Sequence, residues 1–189
     1  MISGLQNDWC HPDGVLAKHG RDLSTIAQMV DNTSDLAAEA RRRRYPIMFL
    51  KNVLLADGRS NSVAWRGHAR AKGLAEGEPG ATDWGRCFVA ELEPATGDFV
   101  VETFRPGGFS DTRADVLLRS AGIREVWLAG VETHAAVLAT AIQATSLDYS
   151  VTVVTDCVAG TVPNLDRAAR TVLGCWTTVK PRREVIRQN

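Results

Sequence analysis

The strongest constraint on the fold of this chain is the alternation of short apolar segments with longer amphipathic ones. Strand-like apolar segments occupy residues 1–3, 47–50, 99–101, 125–129, 151–155 and 177–179. Helices are predicted between them at residues 24–44, 113–120, 134–148 and 165–173. Repeated strand–helix–strand units favour parallel strands joined by right-handed crossovers. The pattern therefore predicts a three-layer α/β/α fold with a mainly parallel central sheet and helices on both faces.

Length and charge limit the partners of such a chain. Its 189 residues suit a single domain spanning residues 1–189. The 22 Lys and Arg residues equal the 22 Asp and Glu residues in number, so no long-range field attracts nucleic acid or an anionic membrane. The longest apolar run, residues 126–129, is far shorter than the roughly 20 residues of a membrane span. We expect a small-molecule substrate or ligand, with neither nucleic acid nor membrane as a partner.

Cysteine usage indicates the compartment. The four cysteines form no CxxC pair, and no apolar leader segment precedes the first strand. A secreted disulfide framework is therefore not expected. We expect a cytoplasmic protein.

Polar segments follow several of the predicted strands, at the edge of the sheet where parallel α/β folds bind ligands. They read LQNDWCHPDG at residues 5–14, GDFVVETFRPGGF at residues 97–109 and GVETHAAV at residues 130–137. In this order and spacing, the three segments resemble the isochorismatase-like superfamily of cysteine hydrolases. The similarity extends over nearly the whole chain and is nearest to the metal-free amidohydrolase branch.

The resemblance implies an unusual active site. Members of this superfamily use an Asp as proton acceptor, a Lys that supports it, and a Cys nucleophile at a helix N-terminus. The matching positions in this chain are Gly4, Thr103 and Ala136. None of these side chains can serve as base, cation or nucleophile. The resemblance thus implies the family fold without the usual covalent reaction.

The same resemblance implies further features of the site. A metal-binding Asp-x-His pair of the nicotinamidase branch matches Asn52 and Leu54, so no metal and no cofactor are expected. The turn at residues 131–133 matches a stretch in which the family has a non-proline cis peptide and directs N–H groups into the pocket. Family members are usually dimers or tetramers, which implies a homodimer or homotetramer. The positions that match substrate-binding residues are Trp9, Asn52, Phe109, Val131 and Ala135.

Four ionisable residues near the expected pocket are candidates for catalysis: Glu132, His134, Arg105 and Asp8. Glu132 and His134 flank a strand-to-helix turn, where structural and catalytic roles are equally open. Asp8 lies in a loop and is also a natural capping carboxylate.

Other side chains near the same pocket are weaker candidates. Glu102 should face away from the side that Thr103 faces, because side chains alternate along a strand. Cys10 and Cys157 offer thiols at new positions, although small buried cysteines are common.

Three functions remain open at this point. The first is a repurposed enzyme that performs cyclisation, dehydration, isomerisation or hydrolysis of a carbonyl-bearing metabolite without a covalent intermediate. The second is a catalytically silent paralogue that binds a ligand or pairs with an active subunit. The third is an amidohydrolase inactivated by laboratory substitution.

Overall fold

A six-stranded parallel sheet forms the centre of the molecule. The computed structural model describes residues 1–55, 58–71 and 80–187, without the side chains of residues 68–71. The strands are β1 (Ile2–Ser3), β2 (Met48–Asn52), β3 (Phe99–Thr103), β4 (Glu125–Val131), β5 (Ser150–Ala159) and β6 (Thr178–Lys180). Their order across the sheet is β3-β2-β1-β4-β5-β6, and every ladder between them is parallel. The predicted α/β architecture is confirmed.

Helices cover both faces of this sheet. They are α1 (Asn7–Cys10), α2 (Val15–Lys18), α3 (Ile26–Arg42), α4 (Val63–Ala71), α5 (Asp83–Arg86), α6 (Ala114–Ser120), α7 (Leu138–Ser146), α8 (Pro163–Trp176) and α9 (Arg182–Arg187). A 3₁₀ turn (Ala90–Leu92) and a π-helical turn (Thr133–Val137) lie among them. Among the described helices, none has both the length and the apolar composition that crossing a bilayer requires.

Strand β2 shows how the sequence places a core on each face. Met48 and Leu50 point into the core beneath α6, α7 and α8, whereas Phe49 points into the core beneath α3. All three side chains are at most 2 % exposed. A strand that is apolar on both faces is typical of a parallel sheet covered on both sides.

The sequence-based prediction misplaced the ends of several strands and helices. Strands β4 and β5 run further than predicted, and the helix predicted for residues 134–148 begins instead as the π-helical turn and continues as α7. The sequence prediction also missed α1, α2, α4, α5 and α9. Helices of four to six residues such as α1, α2, α5 and α9 are too short to show an apolar period.

One buried side chain ties two strand ends together. Gln6 is fully buried in the loop after β1. Its Nε2 donates to the carbonyl oxygens of Asn52, at 2.9 Å, and Arg86, at 3.0 Å, and its Oε1 accepts from the Asn52 N–H at 2.7 Å. These bonds fix the carboxyl ends of β1 and β2 side by side. The edge of the sheet that carries the site is therefore held by polar contacts as well as by packing.

Candidate functional site

A cavity of about 420 Å³ opens at the carboxyl ends of the neighbouring strands β3, β2, β1 and β4. Each of these strands contributes to its wall: Gly4 directly follows β1, while Asn52, Thr103 and Val131 end β2, β3 and β4. Trp9, from the loop after β1, adds an aromatic wall. The volume falls within the range of pockets that enclose small organic molecules.

The three positions matched to the family's catalytic side chains lie around this one cavity. Gly4, Thr103 and Ala136 all line it. Gly4 has a φ of +69°, and a Cβ added there would lie 2.5 Å from the carbonyl oxygen of Val131. Position 4 therefore does not accept a side chain unless the backbone moves.

The turn between β4 and α7 carries the two ionisable groups nearest the Ala136 side of the cavity. The peptide bond between Val131 and Glu132 is cis, as the resemblance implied. Thr161 donates to both oxygens of the Glu132 carboxylate, from its Oγ1 at 2.6 Å and from its N–H at 3.0 Å. The Nδ1 atom of His134 lies 3.3 Å from Oε2 of Glu132. This arrangement places a carboxylate and an imidazole side by side in the wall of the cavity.

The Glu132 side chain is more deeply buried than that of His134. The Glu132 side chain is 9 % exposed and that of His134 is 21 % exposed. Nδ1 of His134 is buried and makes no hydrogen bond of good geometry to any part of the chain that the structure describes. A fixed carboxylate close to an imidazole is a common arrangement for a proton acceptor, because the two charges attract when the ring takes up a proton.

Arg105 lines the other side of the cavity and is held by neutral groups. Its guanidinium donates to the carbonyl oxygens of Phe104, at 2.5 Å, and Ser60, at 2.9 Å. It also stacks over the ring of Trp65, 4.7 Å from the ring centroid. The cation is thus positioned without a carboxylate among these contacts.

Residues 1–177 match the model of the isochorismatase domain. The chain belongs to the isochorismatase family. Ureidoacrylate amidohydrolase RutB of Pseudomonas savastanoi pv. phaseolicola is 29 % identical over 166 residues, an alignment that covers 82 % of this chain and 68 % of that protein.

Solved structures of the family superpose over nearly the whole chain. An isochorismatase family protein from Desulfovibrio vulgaris matches with a TM-score of 0.82 and 27 % identity, covering 97 % of this chain and 93 % of the other. N-carbamoylsarcosine amidase from Thermoplasma acidophilum matches with a TM-score of 0.74 and 26 % identity, covering 96 % and 94 % of the two chains. Two of the relatives are thus named for hydrolysis of amide bonds, one as an amidohydrolase and one as an amidase.

Two predicted site residues of this family member lie away from the cavity wall. Asp8 is buried, its Oδ2 accepts from the Gly80 N–H at 2.8 Å, and its carboxylate packs against Gly85, so it supports the loop beside the site. Phe109 is buried in the core beneath α6, α7 and α8, with its ring centroid 5.6 Å from that of Tyr149. Its backbone N–H donates to Oε1 of Gln143, which holds the segment against α7.

The other predicted residues lie where the sequence placed them or close by. The cavity wall includes Trp9, Asn52, Arg105, Val131, Glu132, His134 and Ala135. Glu102 is exposed and Thr103 is buried, as the alternation along β3 predicted. Sequence reasoning missed Arg21, Trp65, Thr161 and Leu165 as lining residues. They belong to none of the three polar segments, and no periodic signal marked them.

The alternative thiols do not suit a cysteine-hydrolase reaction. Burial and the nearby charge of Glu132 raise the pKa of the Cys10 thiol far above its usual range. Burial raises the pKa of Cys157 to about 12, with a further contribution from Asp156. A thiol with a raised pKa stays protonated at neutral pH and is a poor nucleophile. Neither cysteine is among the residues that line the cavity.

Proposed function

We propose that this chain is a repurposed isochorismatase-family enzyme that transforms a small carbonyl-bearing metabolite by non-covalent acid–base catalysis. The observation that carries the proposal is the Glu132–His134 pair in the wall of the cavity that Gly4 and Thr103 also line. An acid–base pair supports cyclisation, dehydration, isomerisation or hydrolysis, none of which needs a covalent intermediate. The proposal departs from the amidohydrolase activity named for the homologues.

In this mechanism His134 moves the proton. Glu132 faces Nδ1 of the ring, which leaves Nε2 for a proton of the substrate. Thr161 fixes both oxygens of Glu132, so the carboxylate keeps the orientation that stabilises the imidazolium. A positioned general base contributes about 10²- to 10⁴-fold to a rate.

The second reacting group in this mechanism is the carbonyl oxygen of the substrate, which gains negative charge in the transition state. Ala135 and Ala136 line the cavity at the first turn of a helical stretch that runs from Thr133 through Ser146. The start of a helix carries partial positive charge and favours a developing oxyanion. The small side chain of Ala136 leaves room for that oxygen beside the helix start.

The backbone at Gly4 supports natural divergence rather than laboratory substitution. Replacing an Asp by Gly in an otherwise unchanged active site leaves space where the side chain had been. At Gly4 that space is closed, because a Cβ would lie 2.5 Å from the Val131 carbonyl oxygen. The proposal therefore treats the site as one that has been rebuilt around a glycine.

The test compares turnover by matched variants. The purified protein is incubated with a metabolite extract of its own host, and consumption and formation of each compound are followed by mass spectrometry. We expect one substrate–product pair with the wild type, a loss of at least about 100-fold with Glu132→Gln and with His134→Asn, and full activity with Glu102→Gln. Glu102 is the control because its exposed carboxylate lies on the same sheet edge, next to Thr103.

Two results would contradict the proposal. If the wild type depletes no compound, the chain is a silent paralogue. If both site variants keep wild-type turnover, Glu132 and His134 do not carry the reaction.

A further inference from the structure

The charges in the cavity wall are unbalanced. Two arginines line it, Arg21 and Arg105, and Glu132 is the sole acidic residue among the lining residues that the structure describes. With a neutral His134, the described wall carries one excess positive charge. A partly enclosed cavity with this balance favours a ligand with one negative charge.

Arg21 supplies the excess charge. Its backbone N–H donates to the carbonyl oxygen of Leu16 at 3.0 Å, which fixes the chain just beyond α2. Across residues 1–55, 58–71 and 80–187, its guanidinium makes no hydrogen bond or ion pair. The residue is only partly exposed, and the apolar Leu16 lines the cavity with it. A partly buried cation without a partner is costly, and a bound anion offsets that cost.

Arg105 differs from Arg21 in that its position is already determined. Two of its nitrogen atoms donate to main-chain carbonyl groups, and its plane stacks on Trp65. These contacts hold the group in place, and none of them is with a carboxylate. Arg105 therefore adds to the positive potential, while the guanidinium of Arg21, which has no partner among the described residues, can donate two parallel hydrogen bonds to a carboxylate.

We propose that Arg21 binds a carboxylate group of the ligand and thereby selects ligands by charge. The inference deepens the proposed function and rests on it for the identity of the site. In this arrangement the carboxylate is held by the Arg21 guanidinium, and the reacting carbonyl lies towards Ala136 and His134. An amide or ester of the same acid lacks the charge that Arg21 recognises.

The test uses matched pairs of probes that differ in charge alone. A panel of small aromatic and aliphatic acids, each paired with its primary amide, is titrated by calorimetry at low and high ionic strength. We expect acids to bind and their amides to bind at least about tenfold more weakly, with affinity for acids falling as salt rises. Arg21→Gln should weaken binding of acids by about tenfold to 100-fold, the range measured for hydrogen bonds to charged groups.

A surface arginine provides the matched control. Arg167 is exposed on α8 and is not part of the cavity wall, so Arg167→Gln should bind acids as the wild type does. The inference is overturned if acids bind no better than amides, or if Arg21→Gln binds acids with unchanged affinity. It is also overturned if the loss appears with Arg105→Gln but not with Arg21→Gln.

A further variant separates this inference from the proposed function. His134→Asn should bind acids with wild-type affinity while it loses turnover, because His134 moves a proton and Arg21 holds the carboxylate. If turnover depends on His134 but acid binding does not depend on Arg21, the carboxylate inference fails and the acid–base mechanism stands. If acids bind through Arg21 but no compound is turned over, the acid–base mechanism fails and an anion-binding paralogue remains.

Discussion

Adding a single methyl group at Gly4 should destabilise the protein strongly. A Cβ at this buried position would lie 2.5 Å from the backbone oxygen of Val131, closer than carbon and oxygen atoms pack. The residue also has a φ of +69°, a left-handed conformation that costs a residue with a side chain about 1–2 kcal/mol. Forcing extra atoms into a packed core adds about 1–3 kcal/mol. We therefore expect Gly4→Ala to lower the free energy of unfolding by about 2–5 kcal/mol.

Gly20 provides a control with the same backbone conformation. Its φ is also +69°, it is exposed, and a Cβ added there would meet no atom within 4 Å. Gly20→Ala should therefore lower the free energy of unfolding only by the cost of the left-handed backbone conformation, about 1–2 kcal/mol. The difference between the two variants isolates the contact with Val131.

Urea denaturation followed by far-ultraviolet circular dichroism measures both free energies by linear extrapolation. Gly4→Asp extends the series, because it adds a buried carboxylate beside a carbonyl oxygen and should cost more than Gly4→Ala. If the losses in free energy of unfolding for Gly4→Ala and Gly20→Ala agree within about 0.5 kcal/mol, position 4 has room for a side chain. The proposal that the site has been rebuilt around a glycine is then refuted.

Two further predictions concern side chains around the site. Thr161→Ala should lower turnover and shift its pH profile, because Glu132 loses the 2.6 Å hydrogen bond from Oγ1. Thr161→Ser keeps that hydroxyl and should restore wild-type turnover and the wild-type pH profile. Equal pH profiles for the two variants would exclude a positioning role for Thr161. Cys157 should resist alkylation by iodoacetamide in the native protein at pH values well below 12, because burial keeps its thiol protonated, whereas the exposed Cys175 should react. Peptide mass mapping measures both modifications, and rapid labelling of Cys157 in folded protein would contradict the burial argument.

Local sequence pattern was sufficient for the sheet and for part of the site. Short apolar runs such as Met48–Leu50 need to be buried on both sides, so they identify parallel strands without further information. The polar residues that follow β1 and β4 were predicted to meet, because the carboxyl ends of parallel strands share one edge. Both segments contribute to the cavity wall, through Trp9, which the resemblance to the family implied, and through His134.

The remaining parts of the site depend on contacts that local pattern does not encode. Arg21 and Trp65 reach the cavity from loop and helix segments that no motif distinguishes, and long-range packing alone decides where they point. Phe109 illustrates the reverse error. It belongs to a segment that passes the site, but its ring is buried in the core. Its N–H donates to Gln143 and holds the backbone of the segment against α7.

The geometry of the β4–α7 turn couples the glycine at position 4 to the proposed catalytic pair. Val131 supplies the carbonyl oxygen that closes the space above Gly4, and the next residue in the chain is Glu132. A backbone movement that makes room for a side chain at position 4 by displacing Val131 would also move Glu132, the next residue, relative to Thr161. Room for a carboxylate at position 4 and the placement of the Glu132–His134 pair therefore both depend on the position of Val131. For this reason we expect substitutions at position 4 to reduce turnover by the proposed acid–base mechanism even where the protein still folds.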